Sequence, residues 1–153
     1  MHMHTIEINM SNQCTCSILR QLTRKITVIY DHYLAADKLT ISQYSLLARI
    51  GKDGPIGVIP LATSMGMDRS TMSRVLKPLI SAGWIQTVDL PLEMLTDKRS
   101  FGVSLSADGN RKWKTSMPNW RKAQNEIRTI LGEKAHQDLI DIVDEANANF
   151  GNL

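Results

Sequence analysis

The segment Met67-Asp68-Arg69-Ser70-Thr71-Met72-Ser73-Arg74-Val75-Leu76 concentrates the residue types best suited to recognition chemistry in this chain. At helical spacing, Met72, Val75 and Leu79 share one face, and Ser70, Thr71, Ser73, Arg74 and Lys77 fall on the opposite side or its flanks. Asp68 is placed to cap such a helix. Short hydroxyls near a helix N-terminus permit close approach to a groove and can bond phosphate oxygens or base edges. Arg69 and Arg74 add cationic reach, and the forked guanidinium of Arg74 suits guanine or phosphate. Taken alone, the same segment also reads as a solvated helix face behind a capping Asp.

The elements around it favour recognition. Cys14 to Asp37 carries apolar residues at Leu19, Leu22, Ile26, Ile29/Tyr30 and Tyr33, a helix longer than a small globular unit needs. Thr40-Ile41-Ser42-Gln43 reads as a capping box, with Leu39 and Tyr44 as its hydrophobic staple. A helix follows to about Ile50, and a short one spans about Ile59 to Met65 and ends at Gly66. The Asp68-capped helix then runs to about Ala82 and closes at Gly83. Trp84–Val88 and Phe101–Leu105 have strand character and form a long hairpin. Ser106 caps a helix with inward positions at Trp113, Met117, Trp120, Ile127 and Leu131. A last helix from about Glu133 to Asn149 is expected to bury Leu139, Ile140, Val143 and Ala146. Two short helices joined by a tight turn and followed at once by a hairpin define a winged helix-turn-helix.

Four motifs in order carry a more specific resemblance: Asp68-Arg69-Ser70-Thr71, Gly83-Trp84-Ile85, Asp97-Lys98-Arg99, and Leu105-Ser106-Ala107-Asp108-Gly109. Together they resemble the MarR family of bacterial regulators over residues 14 to 150. The resemblance implies that Arg99 is a wing-tip residue entering a minor groove, with Asp97 orienting it and Lys98 beside it. A narrow minor groove concentrates negative potential that favours arginine. Two departures from the family pattern stand out. Asp89–Thr96 makes the wing longer and more apolar, and Val58 replaces the usual Ser or Thr cap of the third helix.

The resemblance also implies an effector crevice between dimerisation helices and the DNA-binding unit. Arg20, Tyr30, His32, Trp113 and Trp120 are its candidates, a cation plus aromatic walls suiting a carboxylated ring. Trp113 and Trp120 equally suit core positions, and His32 an exposed surface. Cys14 and Cys16 are inert thiols, a redox pair, or metal ligands with His2 and His4; their alternate spacing disfavours a disulfide within a helix.

Composition sets the outer limits. Of 153 residues, 42% are apolar, enough for a core, and two cysteines provide no disulfide framework. Residues 1–132 hold 17 Lys/Arg against 10 Asp/Glu, whereas 133–153 hold one Lys against five acids, an asymmetry pointing to a polyanionic partner. The sequence holds no Gly-rich phosphate loop, H-E-x-x-H pair or nucleophile elbow, so neither an enzyme nor a cofactor is expected. No apolar run suggests a membrane span and the start lacks signal-peptide character, so a cytoplasmic location is expected.

The expected architecture is mainly α: a winged helix-turn-helix with a two-stranded β-wing, flanked by long N- and C-terminal dimerisation helices. Residues 1–13 form a flexible arm, 14–37 and 107–150 the dimerisation region, and 40–105 the DNA-binding domain. The partners implied are double-stranded DNA, a second copy of the chain and a small-molecule effector. A winged helix serving only protein interaction is the alternative from another class.

Overall fold

The first described element is a 20-residue helix, α1 (Thr15–Leu34), whose end tightens into a 3₁₀ turn at Ala35–Asp37 before Lys38 reverses the chain with a positive φ of 57°. This computed structural model describes residues 13–151, so nearly all of the expected N-terminal arm, with His2 and His4, lies outside the described residues. Next comes α2 (Ile41–Asp53), started by the capping box: Gln43 N–H donates to the Thr40 hydroxyl, and Thr40 N–H donates to the Gln43 side chain. Leu39 and Tyr44, which flank the box, are both buried.

A two-residue strand, β1 (Ile56–Gly57), precedes α3 (Val58–Ser64) and α4 (Arg69–Ser81). Strand β2 (Ile85–Val88), a short helix α5 (Leu92–Leu95) and strand β3 (Gly102–Leu105) make the wing. Two long helices close the chain, α6 (Ala107–Leu131) and α7 (Glu133–Phe150).

The sheet has three antiparallel strands in the order β1-β3-β2, where the pattern of residues suggested two. Ile56 pairs with Val103 and Gly57 with Gly102. Two residues are too few to leave an alternating pattern, which is why β1 was not legible. It also resolves the uncapped start of α3. Val58 follows Gly57 with no side-chain cap, but its N–H donates to the Phe101 carbonyl at 3.0 Å, so the sheet supplies the acceptor that a Ser or Thr would.

The long wing is folded down. Leu95 is buried, and α5 packs on α3 and β1. Gly57 makes this approach possible, since a Cβ there would overlap the Met94 carbonyl and come within 3.1 Å of the Leu95 Cα. Leu92, Met94 and Phe101 remain exposed.

One core joins these elements: Leu34, Leu46, Leu47, Ile50, Leu61, Met72, Leu76, Leu79, Ile85 and Val103 are all essentially inaccessible. On α4 the buried stripe is Met72, Leu76 and Leu79, an i, i+4, i+7 series; Val75, expected inward, lies half-buried on its flank. Pro78 is exposed and does not end the helix.

The C-terminal helix departs furthest from expectation. No residue of α7 is buried; Ile140 and Val143 are 43% and 40% exposed, and Leu139 and Ala146 only half-covered. The protomer alone offers α7 little beyond α6 to pack against. Among the described residues no helix is long and apolar enough to cross a membrane.

Candidate nucleic-acid interface

Asp68 sets the start of α4. Its Oδ1 accepts the Thr71 N–H at 2.7 Å and its Oδ2 the Thr71 hydroxyl at 3.1 Å. The Thr71 amide, its hydroxyl and the Arg74 guanidinium, less the cost of desolvation, hold the Asp68 carboxyl below the ordinary carboxylate range. Thr71 is therefore committed to the cap, its hydroxyl engaged, rather than standing free as its position in the motif suggested. Arg69, Ser70, Ser73, Arg74 and Lys77 are exposed. The helix thus presents two hydroxyls and three cations on one side and its core stripe on the other.

At the wing, Arg99 wraps back onto Asp97. Its backbone N–H donates to Asp97 Oδ1 at 2.8 Å, and its guanidinium reaches the carboxylate through Nε at 3.4 Å and Nη2 at 3.2 Å. The Arg99 side chain is 80% exposed. An exposed pair of this kind adds little stability; its effect is to hold the guanidinium in one orientation. The Asp97 carboxyl is lowered by the Arg99 side chain and backbone, and also by the charge of Arg69. Lys98 is exposed beside them.

The five effector-site candidates do not come together. Trp113 and Trp120 line an open cavity of about 480 Å³ between α2 and α6, with Tyr44, Ala48, Arg49, Lys52, Met117 and Arg121. Tyr30 instead hydrogen-bonds the Gln124 side-chain oxygen and packs against the core, which with Tyr44 beside it raises its pKa. His32 is exposed, its ring edge-on to Tyr33 at 5.3 Å. Arg20 is exposed near the start of α1. The cations beside the tryptophans are Arg49, Lys52 and Arg121, which the sequence reading missed. Tyr44, Ala48 and Lys52 do form an i, i+4, i+8 stripe, but nothing local says that this stripe faces α6.

Tyr44 stacks on Trp120, with centroids 5.7 Å apart and planes 15° from parallel. Burial raises its pKa, offset in part by the Trp113 indole and by Arg121. The Trp113 N–H is itself buried without a well-formed hydrogen bond, close enough to influence Tyr44 but not to be satisfied by it. Cys14 is the residue before α1 and Cys16 lies in its first turn; both are free and exposed.

A short helix pair, a sheet-borne wing and a cation-lined helix face make this a winged helix-turn-helix protein. Residues 39–92 match the MarR family model. Over 92 residues the chain is 27% identical to the multiple antibiotic resistance protein MarR of Salmonella typhimurium, covering 60% of this chain and 61% of that one. The match therefore spans less than two thirds of the curated relative's length. Among solved structures, the M. tuberculosis transcriptional regulator MosR in complex with DNA superposes with a TM-score of 0.73 at 26% identity, covering 89% of this chain and 98% of MosR. CouR from Rhodococcus jostii RHA1, bound to p-coumaroyl-CoA, shares the fold at a TM-score of 0.70 and 14% identity, covering 89% and 92% of the two chains. The family likeness is thus carried by residues 39–92, and the described chain shares the winged-helix fold of these solved regulators. These family and structural neighbours are transcriptional regulators rather than enzymes.

Proposed function

We propose that the protein is a transcriptional regulator that binds duplex DNA sequence-selectively as a homodimer and represses by occupying a promoter. One observation carries the reading. Arg69, Ser70, Ser73, Arg74 and Lys77 on α4 and Lys98 and Arg99 on the wing are all exposed, and the carboxylates of these two motifs, Asp68 and Asp97, are both engaged internally. Major-groove readout falls to Arg74 and the α4 hydroxyls, minor-groove contact to Arg99, and phosphate neutralisation to the remaining cations. In this reading residues 40–105 are the DNA-binding unit, and 14–37 with 107–150 the dimerisation region.

The dimer is supported by the uncovered apolar surface. An 18-residue helix with no buried side chain is not held by one protomer, and Ile140, Ile142, Val143 and Phe150 on α7 stand exposed with Ile18 and Leu19 on α1. An apolar hollow between α1 and α6, lined by Leu22, Ile26, Ile29, Ile127, Ile130 and Leu131, continues that surface.

The cavity between α2 and α6 suits an aromatic carboxylate as effector. Tryptophan and tyrosine rings form its walls, and Arg49, Lys52 and Arg121 stand around it. The same fold in CouR holds p-coumaroyl-CoA.

The test is DNA affinity of Arg74→Ala and Arg99→Ala beside the parent. Arg74→Ala is expected to weaken binding by about 1–3 kcal/mol and to relax base preference. Arg99→Ala weakens binding with major-groove preference retained. Parent-like binding by both variants rejects the assigned face.

A further inference from the structure

The joint between the dimerisation helices and the reading head is built from side chains that the proposed function leaves unused. Asp31 sits on the last turn of α1, ten residues before the start of α2. Its Oδ1 accepts the Ile41 N–H at 2.7 Å, partly shielded from solvent. Ile41 is the first residue of α2, and its amide is one of those a helix leaves without an internal acceptor. The capping box already serves Gln43 and Thr40, so Asp31 adds an acceptor from a different helix. A carboxylate at this end also meets the positive pole of the α2 dipole. The neighbouring reversal is tied as well: Asn119 on α6 donates to Asp37 at 2.8 Å across 82 residues of sequence.

The first turn of α2 faces α4 across a groove, and Leu46 at its far side joins Met72, Leu76 and Leu79 of α4 in the common core. Thr40, Ser42, Gln43 and Leu46 share a groove with Arg74, Val75 and Pro78. A shift of α1 that carries Asp31 therefore moves the end of α2 that faces Arg74 across this groove, and with it Leu46 in the core shared with α4.

We propose that Asp31 is a positioning residue that transmits the placement of the dimerisation helix α1 through the N-terminus of α2 to the middle of the recognition helix α4. This rests on the reading of α4 as the DNA-contacting helix of a dimer. Asp31 touches neither DNA nor effector; it fixes how far each reading head rotates relative to the dimer frame. Its removal should relax the distance between half-sites that the dimer accepts, rather than the bases each half-site prefers.

Two measurements test this on the full chain, using Asp31→Ala and, as the conservative control, Asp31→Asn, whose amide oxygen can still accept from Ile41. The first compares affinity for a selected palindromic duplex with affinity for duplexes whose spacer is one base pair longer or shorter. The parent should bind the altered spacers about tenfold more weakly, a loss like that of one mismatched base pair. Asp31→Ala should cut this discrimination to about threefold or less with base preference unchanged, and Asp31→Asn should restore it. Discrimination in Asp31→Ala equal to the parent's overturns the proposal. The second needs no DNA: hydrogen exchange should quicken in Asp31→Ala at residues 40–46 and also at 72–80. Faster exchange confined to the first turn of α2 reduces Asp31 to a local cap and also overturns the proposal. A parent that shows no spacer preference refutes the dimer reading instead, and the exchange measurement still decides the role of Asp31.

Discussion

Replacing Gly109 by alanine sets two effects of opposite sign against each other. Gly109 is the third residue of α6, where helix propensity alone favours alanine by about 1 kcal/mol. Its φ is not positive, so no left-handed backbone demands glycine there. The obstacle is tertiary. A Cβ at this position would overlap the Trp84 carbonyl oxygen and lie 2.7 Å from the carbonyl carbon and 3.0 Å from the Cα. These are backbone atoms and cannot swing aside as a flexible side chain would. The same contact is bonded: Ser106 N–H donates to the Trp84 carbonyl at 3.0 Å, and Ser106 caps α6 by accepting from Gly109 N–H at 3.0 Å. Moving α6 outward to admit the methyl strains that bond, worth about 1 kcal/mol. Overpacking adds about 1–3 kcal/mol. The propensity gain is outweighed, leaving Gly109→Ala less stable by about 1–3 kcal/mol. Urea denaturation at fixed protomer concentration measures it, since the proposed dimer would make the midpoint concentration-dependent. A variant as stable as the parent, or more so, refutes the close approach of α6 to the first residues of the wing.

The Asp68 and Asp97 carboxyls are both depressed below their ordinary value of 3.8 when folded, so their contribution is complete above that value and is lost as the pH falls through the lower folded pKa values. Neither should change stability between pH 5 and 8; the acid loss below about pH 4 should be smaller in Asp68→Asn, whose side chain still caps, and an equal loss would contradict the cap. Leu95→Ala should free the wing, raising proteolytic cleavage within residues 89–99 while costing about 2 kcal/mol or less of global stability. Unchanged cleavage would mean that Leu95 does not anchor the wing. Cys14→Ser/Cys16→Ser should keep parental DNA affinity with and without peroxide; loss of binding on oxidation in the parent alone would make the exposed thiols a switch and displace the aromatic ligand as the signal.

What the sequence revealed and concealed follows a physical divide. Thr40-Ile41-Ser42-Gln43 and Asp68 were legible because each cap is a local bond between residues three apart. Ser106 and Gly109 were legible as a motif, though the reason for the glycine appears only where α6 meets Trp84. Strand β1 escaped because two residues carry no period, and its partner lies 47 positions away. The position of α5 depends on Leu95 finding α3 and β1, a tertiary contact that an apolar loop does not announce. The placing of Arg20 and His32 on exposed surface, apart from the cavity that Trp113 and Trp120 line, has the same origin. Helical periodicity tells which residues share a face, not which face meets which helix. On α7 the pattern led to burial of Leu139, Ile140, Val143 and Ala146, whereas the protomer half-covers Leu139 and Ala146 and leaves Ile140 and Val143 exposed.

Selection from a random duplex library with the purified protein tests the central claim most directly. The account predicts enrichment of a pseudo-palindrome with half-sites about one helical turn apart, bound by two protomers. Its affinity should fall with salt at a slope of about −0.9 per phosphate neutralised, and Arg74→Ala should blur the enriched half-site. Recovery of no common sequence, or of a single half-site bound by a monomer, would contradict it.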